Sequence, residues 1–149
     1  MKRILVISAL AAVCILAIVS YFFYGQEAEA ELTNGNTNAT QQEDFILHIR
    51  VESMEEGFQV SRALQYVGEG SVEVEHQTPL VSVSFKNQNH DYTGSTMTKT
   101  LNTGNSYHPQ GPKTFEAPRS GTYILFCEAR FMVNDKFITI NHQEELEFN

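Results

Sequence analysis

The clearest pattern in the chain is an alternation of apolar and polar positions along Ser120–Val133. Side chains repeat every two residues along a strand, so the apolar set shares one face. It comprises Tyr123, Leu125, Cys127, Ala129, Phe131 and Val133. Asn134–Asp135 follows, and both residue types tolerate positive φ, which predicts a two-residue type I′ turn. That turn fixes the register of the returning strand, Phe137–His142, and pairs Cys127 with His142.

Shorter runs of the same kind precede this hairpin. Further strands are predicted at Phe45–Glu52, Phe58–Val67, Val72–His76, Val81–Phe85, Thr96–Leu101, Phe115 and Leu146–Phe148. Within the second of these, Ser61–Tyr66 is also compatible with a helix, because Ala, Leu and Gln favour one. Seven or eight short strands separated by turn residues predict an all-β fold, an antiparallel β-sandwich.

The segment around Tyr123 resembles the penultimate strand of bacterial immunoglobulin-like domains. The resemblance is carried by Gly121–Tyr123 ahead of an alternating strand, and by Phe115 and Ala117–Pro118 before it. It covers the last quarter of the chain and implies an immunoglobulin-like sandwich in which the tyrosine forms a corner with the preceding loop. The chain departs from the disulfide-bonded members of that family, because position 125 is Leu and Trp is absent from the sequence.

The N-terminal residues indicate export. Lys2 and Arg3 precede an uncharged, mostly apolar run, Ile4–Tyr24, whose length suits a membrane-spanning helix with the remainder of the chain outside. The alternative is a signal peptide cleaved after Ala30, since residues 28–30 form an A-x-A pattern. The predicted organisation is an anchor or signal helix at 1–25, a polar linker at 26–42 and a sandwich at 43–149.

Charge and cysteine content narrow the class of protein. The 149 residues include 18 acidic and 10 basic side chains, a net charge of −8, which argues against nucleic-acid binding. Of the two cysteines, Cys14 falls in the apolar N-terminal run and Cys127 in the central strand. The domain therefore has no internal disulfide, which is common for exported bacterial domains.

Two polar loops contain the candidate binding residues. Lys86–Gly94 and Asn102–Pro112 would lie at one end of a sandwich, where such folds commonly bind partners. The candidate contacts are Tyr92, Tyr107 and His108. An alternative function is metal binding through His90 and His108; another is protease inhibition by a presented loop. No cofactor is expected.

One pair of residues raises the question of catalysis. Cys127 is a possible nucleophile, and the predicted register places His142 beside it. The cysteine lies in the middle of a strand on an apolar face, however, and such a setting disfavours the reactive thiolate. The sequence therefore predicts a packed thiol, and a non-catalytic module that recognises a protein or a cell-envelope component.

Overall fold

The computed structural model describes residues 30–149, which form two facing antiparallel sheets. The strands are β1 (Asn36–Gln42), β2 (Phe45–Ser53), β3 (Phe58–Tyr66), β4 (Ser71–Gln77), β5 (Val81–Phe85), β6 (Thr96–Asn102), β7 (Ser106–Tyr107), β8 (Lys113–Phe115), β9 (Gly121–Val133) and β10 (Lys136–Phe148). Residues 30–149 contain no helix that could cross a bilayer. The helix predicted at 1–25 lies outside the described residues.

Each of the two sheets contains five strands. In the first sheet the order is β1-β2-β3, with β7 and β8 both paired to the far side of β3. In the second sheet the order is β10-β9-β4-β6, and β5 also pairs with β9. The predicted all-β, antiparallel two-sheet sandwich is confirmed.

The central hairpin has the predicted register. Cys127 lies opposite His142, and Asn134 and Asp135 have φ angles of 48° and 62°, as a type I′ turn requires. The returning strand is longer than predicted, because β10 continues without a break to Phe148 instead of ending and restarting at a separate edge.

The interpretation of residues 26–42 as a polar linker is wrong for residues 30–42; residues 26–29 lie outside the described part. Ala30 and Leu32 are buried, Leu32 bridges Phe148, and β1 pairs with β2 along its whole length. The sandwich therefore begins before residue 43. The strand shows no apolar periodicity because its inward side chains are polar and meet polar side chains of β10.

Those side chains form a polar seam between β1 and β10, composed of Asn36, Asn38, Thr40, His142 and Glu144. The amides of Asn36 and Asn38 donate to Glu144 Oε2 over 2.5 and 2.8 Å, and Thr40 Oγ1 lies 3.1 Å from His142 Nδ1. His142 Nε2 lies 3.3 Å from Glu144 Oε1. The seam joins β1 to β10 at one side of the sandwich through polar contacts.

The opposite side is closed by two cationic side chains that bind the open edge of β5. Arg62 Nε donates to the Val81 carbonyl over 3.2 Å, and Lys113 Nζ donates to the Val83 carbonyl over 2.7 Å. Burial lowers the pKa of both cations. These hydrogen bonds satisfy strand carbonyls that have no partner strand, which also blocks further strand addition.

An aromatic cluster fills the core near the last residues of β10. Phe58 lies at its centre, with ring centroids 4.9 Å from Phe85, 5.1 Å from Phe115 and 5.4 Å from Phe148. Tyr123, expected to form a corner with the preceding loop, packs on Phe85 and Phe148. The region predicted as either strand or helix, Ser61–Tyr66, is strand, because β3 pairs with β2 along its whole length.

Candidate binding groove

A groove of about 240 Å³ lies on the outer face of the second sheet, near the turn between β9 and β10. It is open to solvent. Side chains of β4, β6, β9, β10 and the loop between β5 and β6 line it, among them Glu75, Tyr92, Thr96, Arg130, Met132 and Phe137. We call it the outer groove.

The loop between β5 and β6 forms one wall of the outer groove. It lies over β5, where the Asn89 amide donates to Ser84 Oγ over 3.1 Å and leaves Ser84 buried. The Tyr92 hydroxyl donates a hydrogen bond to Glu128 of β9. Its oxygen lies 2.8 Å from the Glu128 carbonyl oxygen and 2.9 Å from Glu128 Oε1. Burial and this hydrogen bond raise the pKa of Tyr92. The tyrosine ring is therefore held in place before any partner arrives.

The floor of the groove holds a cation between two aromatic rings. The Arg130 guanidinium lies 5.2 Å from the Tyr92 ring centroid and 5.4 Å from that of Phe137. Phe137 lies on β10, opposite Met132 of β9. Its side chain is 62% exposed, more than any other large apolar side chain of residues 30–149. The most exposed large apolar side chain of the described residues therefore lies in the lining of this groove.

Of the three predicted contacts, only Tyr92 belongs to this groove. Tyr107 lies on β7, and its hydroxyl is 3.0 Å from Nε2 of His76, a residue only 3% exposed. Nδ1 of that histidine lies 2.8 Å from the Gln77 carbonyl, which can only accept, so Nε2 accepts the Tyr107 proton. Tyr107 therefore holds the two sheets together.

The third contact, His108, directly follows β7 of the first sheet. It lines a different groove of about 260 Å³ with His48 and Arg50. His90, its predicted partner in a metal site, lies 3.5 Å from Gln88 in the loop over β5. Within residues 30–149 no group of three or more His, Cys, Asp or Glu side chains is arranged to hold a metal ion.

Cys127 is packed inside the sandwich. It is 1% exposed, and burial, with the charge of Glu144, raises its pKa to about 12. His142, although opposite in register, directs its ring nitrogens toward Thr40 and Glu144. The imidazole is thus engaged in the polar seam, and the thiol is poorly suited to act as a nucleophile.

Thiol alkylation tests this assignment of Cys127. In a Cys14→Ala chain at pH 8 we expect iodoacetamide to react far more slowly with the native protein than with the denatured one. With the pKa raised from 9.0 to about 12, the native protein contains on the order of a thousandfold less thiolate than the denatured one at pH 8. Burial slows the reaction further, because the reagent cannot reach the sulfur. Because the pKa is raised, the contribution of the neutral thiol to stability is complete below pH 9 and declines as pH rises toward 12. A native rate above the denatured rate, lost in His142→Ala, would instead show an activated cysteine.

Sequence reasoning overlooked Arg130 and Phe137, although a signal for them was present. The register that pairs Cys127 with His142 also sets Met132 opposite Phe137 on the other face of the hairpin, with Arg130 two residues from Met132 on that face. A phenylalanine on a solvent-facing strand beside an arginine is the kind of pairing enriched in binding sites.

Comparisons with known proteins leave the function open. No family model matches the chain, and no curated protein is similar to it. Among solved structures, the chain is similar to the GAE domain of GGA2p from Saccharomyces cerevisiae, with a TM-score of 0.43 and 6% identity. The similarity covers 74% of this chain and 96% of that one. At this level it gives no information about binding, and the sandwich is established by the strand pairing itself.

Proposed function

We propose that the domain is a non-catalytic binding module that recognises another protein, or a protein component of the cell envelope, through the outer groove. The observation that carries this proposal is the exposed Phe137 ring beside an open groove, with the Arg130 guanidinium within 5.4 Å of the Phe137 and Tyr92 ring centroids. Tyrosine, phenylalanine and arginine are the side chains most enriched at the centres of protein interfaces.

Preorganisation of the groove supports the same proposal. Tyr92 is anchored by its hydrogen bond to Glu128, and the Arg130 guanidinium lies within cation–π distance of the Tyr92 and Phe137 rings. Side chains that are already ordered lose little conformational entropy on binding, so more of the contact energy appears as affinity. A surface that merely tolerated an exposed phenylalanine would have no need of a tyrosine anchored beside it.

The location of the domain is part of this proposal. We place it outside the cytoplasm, tethered to the membrane or secreted, on the basis of Lys2, Arg3 and the apolar run Ile4–Tyr24. Its immunoglobulin-like type and bacterial origin rest on the resemblance around Tyr123.

Site-specific crosslinking tests the groove. A photoreactive phenylalanine analogue at position 137 of the full chain, irradiated in the native cells, is expected to give one discrete adduct. The same analogue at Ile124 serves as the control, because Ile124 is 40% exposed on the face of β9 that carries Arg130 but is distant from the groove.

The affinity for the partner identified in this way provides a second measurement. Phe137→Ala is expected to weaken binding at least tenfold, since central aromatic contacts contribute about 2 kcal/mol or more. Ile124→Ala is expected to leave binding unchanged. Equal adducts at both positions, or equal affinity of both variants, would contradict the proposal.

A further inference from the structure

We infer that Arg130 is a receptor for a single carboxylate, and that the outer groove binds a partner segment bearing an acidic side chain next to an apolar one. This inference rests on the proposed binding function and specifies the partner. It is carried by the surroundings of the guanidinium group: it lines the groove near two aromatic rings, and within residues 30–149 it makes no hydrogen bond or ion pair.

The neighbouring carboxylates do not satisfy this cation. Glu128 Oε1 lies within hydrogen-bond distance of the Tyr92 hydroxyl, and Glu75 lines the groove without forming an ion pair with Arg130. The Arg130 guanidinium carbon lies 5.2 and 5.4 Å from the Tyr92 and Phe137 ring centroids, and the side chain lines the open groove, where a ligand can reach it. A planar guanidinium edge matches a carboxylate with two parallel hydrogen bonds.

Charge balance favours a carboxylate over a phosphate. Arg130 is the only cationic side chain among the residues that line the groove, whereas Glu75 lies in the same lining. One guanidinium beside an acidic side chain suits a carboxylate, which carries one negative charge, better than a phosphate group, which carries nearly two.

The apolar part of the partner segment is expected beside the carboxylate. Met132 and the exposed Phe137 form a continuous apolar surface next to Arg130, since they are directly opposite each other across β9 and β10. Methionine adapts its shape to different side chains, and phenylalanine provides a large flat contact. An acidic residue flanked by leucine, or by a residue of similar size, fits both halves of the groove.

Matched peptides provide the test. The isotope-labelled full chain, held in detergent because of its apolar N-terminal run, is titrated with an acetylated and amidated pentapeptide that has glutamate at its centre and leucine on each side. We expect saturable shifts of the Arg130, Met132 and Phe137 amides. The same peptide with glutamine is expected to bind at least tenfold more weakly, as is the glutamate peptide to Arg130→Gln. The Arg130→Lys variant, which keeps the charge but loses the planar edge, is expected to fall between these limits.

Several results would overturn the inference. They are equal binding of the glutamate and glutamine peptides, equal binding by Arg130→Gln, tighter binding of a phosphoserine peptide, or no saturable shift up to about 10 mM peptide. If one of these results is found but the crosslinker at position 137 still gives a discrete adduct, the groove remains a binding site and only the carboxylate inference is wrong. If the crosslinker also gives no discrete adduct, the proposed function is wrong as well.

Discussion

Replacement of Phe58 with alanine is expected to lower the free energy of unfolding by about 3–5 kcal/mol. The Phe58 side chain is fully buried, and its ring contacts those of Phe85, Phe115 and Phe148 from three strands. Removal of the ring loses its transfer free energy and leaves a cavity that these rigid neighbours cannot fill. The cluster joins both sheets, so the loss weakens the contact between them.

Denaturant unfolding of the full chain measures this loss. Phe137→Ala is the matched control, because it removes the same ring from an exposed position and is expected to change stability by no more than about 0.5 kcal/mol. If the alanine variant does not fold, Phe58→Leu retains most of the volume and is expected to cost about 1.5 kcal/mol or less. A loss below about 1 kcal/mol for Phe58→Ala would contradict the central position of this ring.

Loss of the Glu144 carboxylate should open the side of the sandwich where β1 lies. Glu144→Ala is expected to lower the free energy of unfolding by about 2–4 kcal/mol, since it leaves the half-buried amides of Asn36 and Asn38 without their acceptor. The carboxylate is only 8% exposed, so water replaces it poorly. The neighbouring His142 loses its closest carboxylate in the same change.

Hydrogen exchange locates the effect. In Glu144→Ala the amides of β1 are expected to exchange faster, while those in the middle of β9 keep their protection, because β1 is held by one paired strand and by the polar seam. Glu145→Ala, at the next position on the exposed face of β10, is the control and should change little. Equal effects of the two substitutions would show that the seam contributes nothing to stability.

The hairpin was predictable residue by residue, whereas β1 was not. A two-residue turn leaves one register available, so Cys127 had to face His142. In β1 the inward positions Asn36, Asn38 and Thr40 alternate as regularly as an apolar face would, but the alternation is between polar residues. Hydrophobic periodicity cannot detect a strand whose buried side is completed by a glutamate more than 100 residues away.

The sequence predicts the part of the candidate site that depends on strand pairing, but not the part that depends on loop conformation. Strand geometry gives the pairing of Met132 with Phe137, but the contact of Tyr92 with Arg130 depends on how a ten-residue loop folds over β5. The separation of Tyr107 from His108 also follows from the fold. Tyr107 belongs to a short strand whose side chain points between the sheets, and the next residue lies toward the opposite face.

The position of Leu32 beside Phe148 determines which end of the sandwich lies next to the start of the described chain. Glu31 and Asn149 exchange backbone hydrogen bonds of 2.9 and 3.0 Å, so the chain enters the sandwich at the last residues of β10. Phe137 is eleven residues from Phe148 along β10, a span of up to about 37 Å at 3.4 Å per residue. Ala30, the first described residue, therefore lies near the end of β10 that is farther from the outer groove. A partner bound at Phe137 would contact the end of the sandwich away from Ala30.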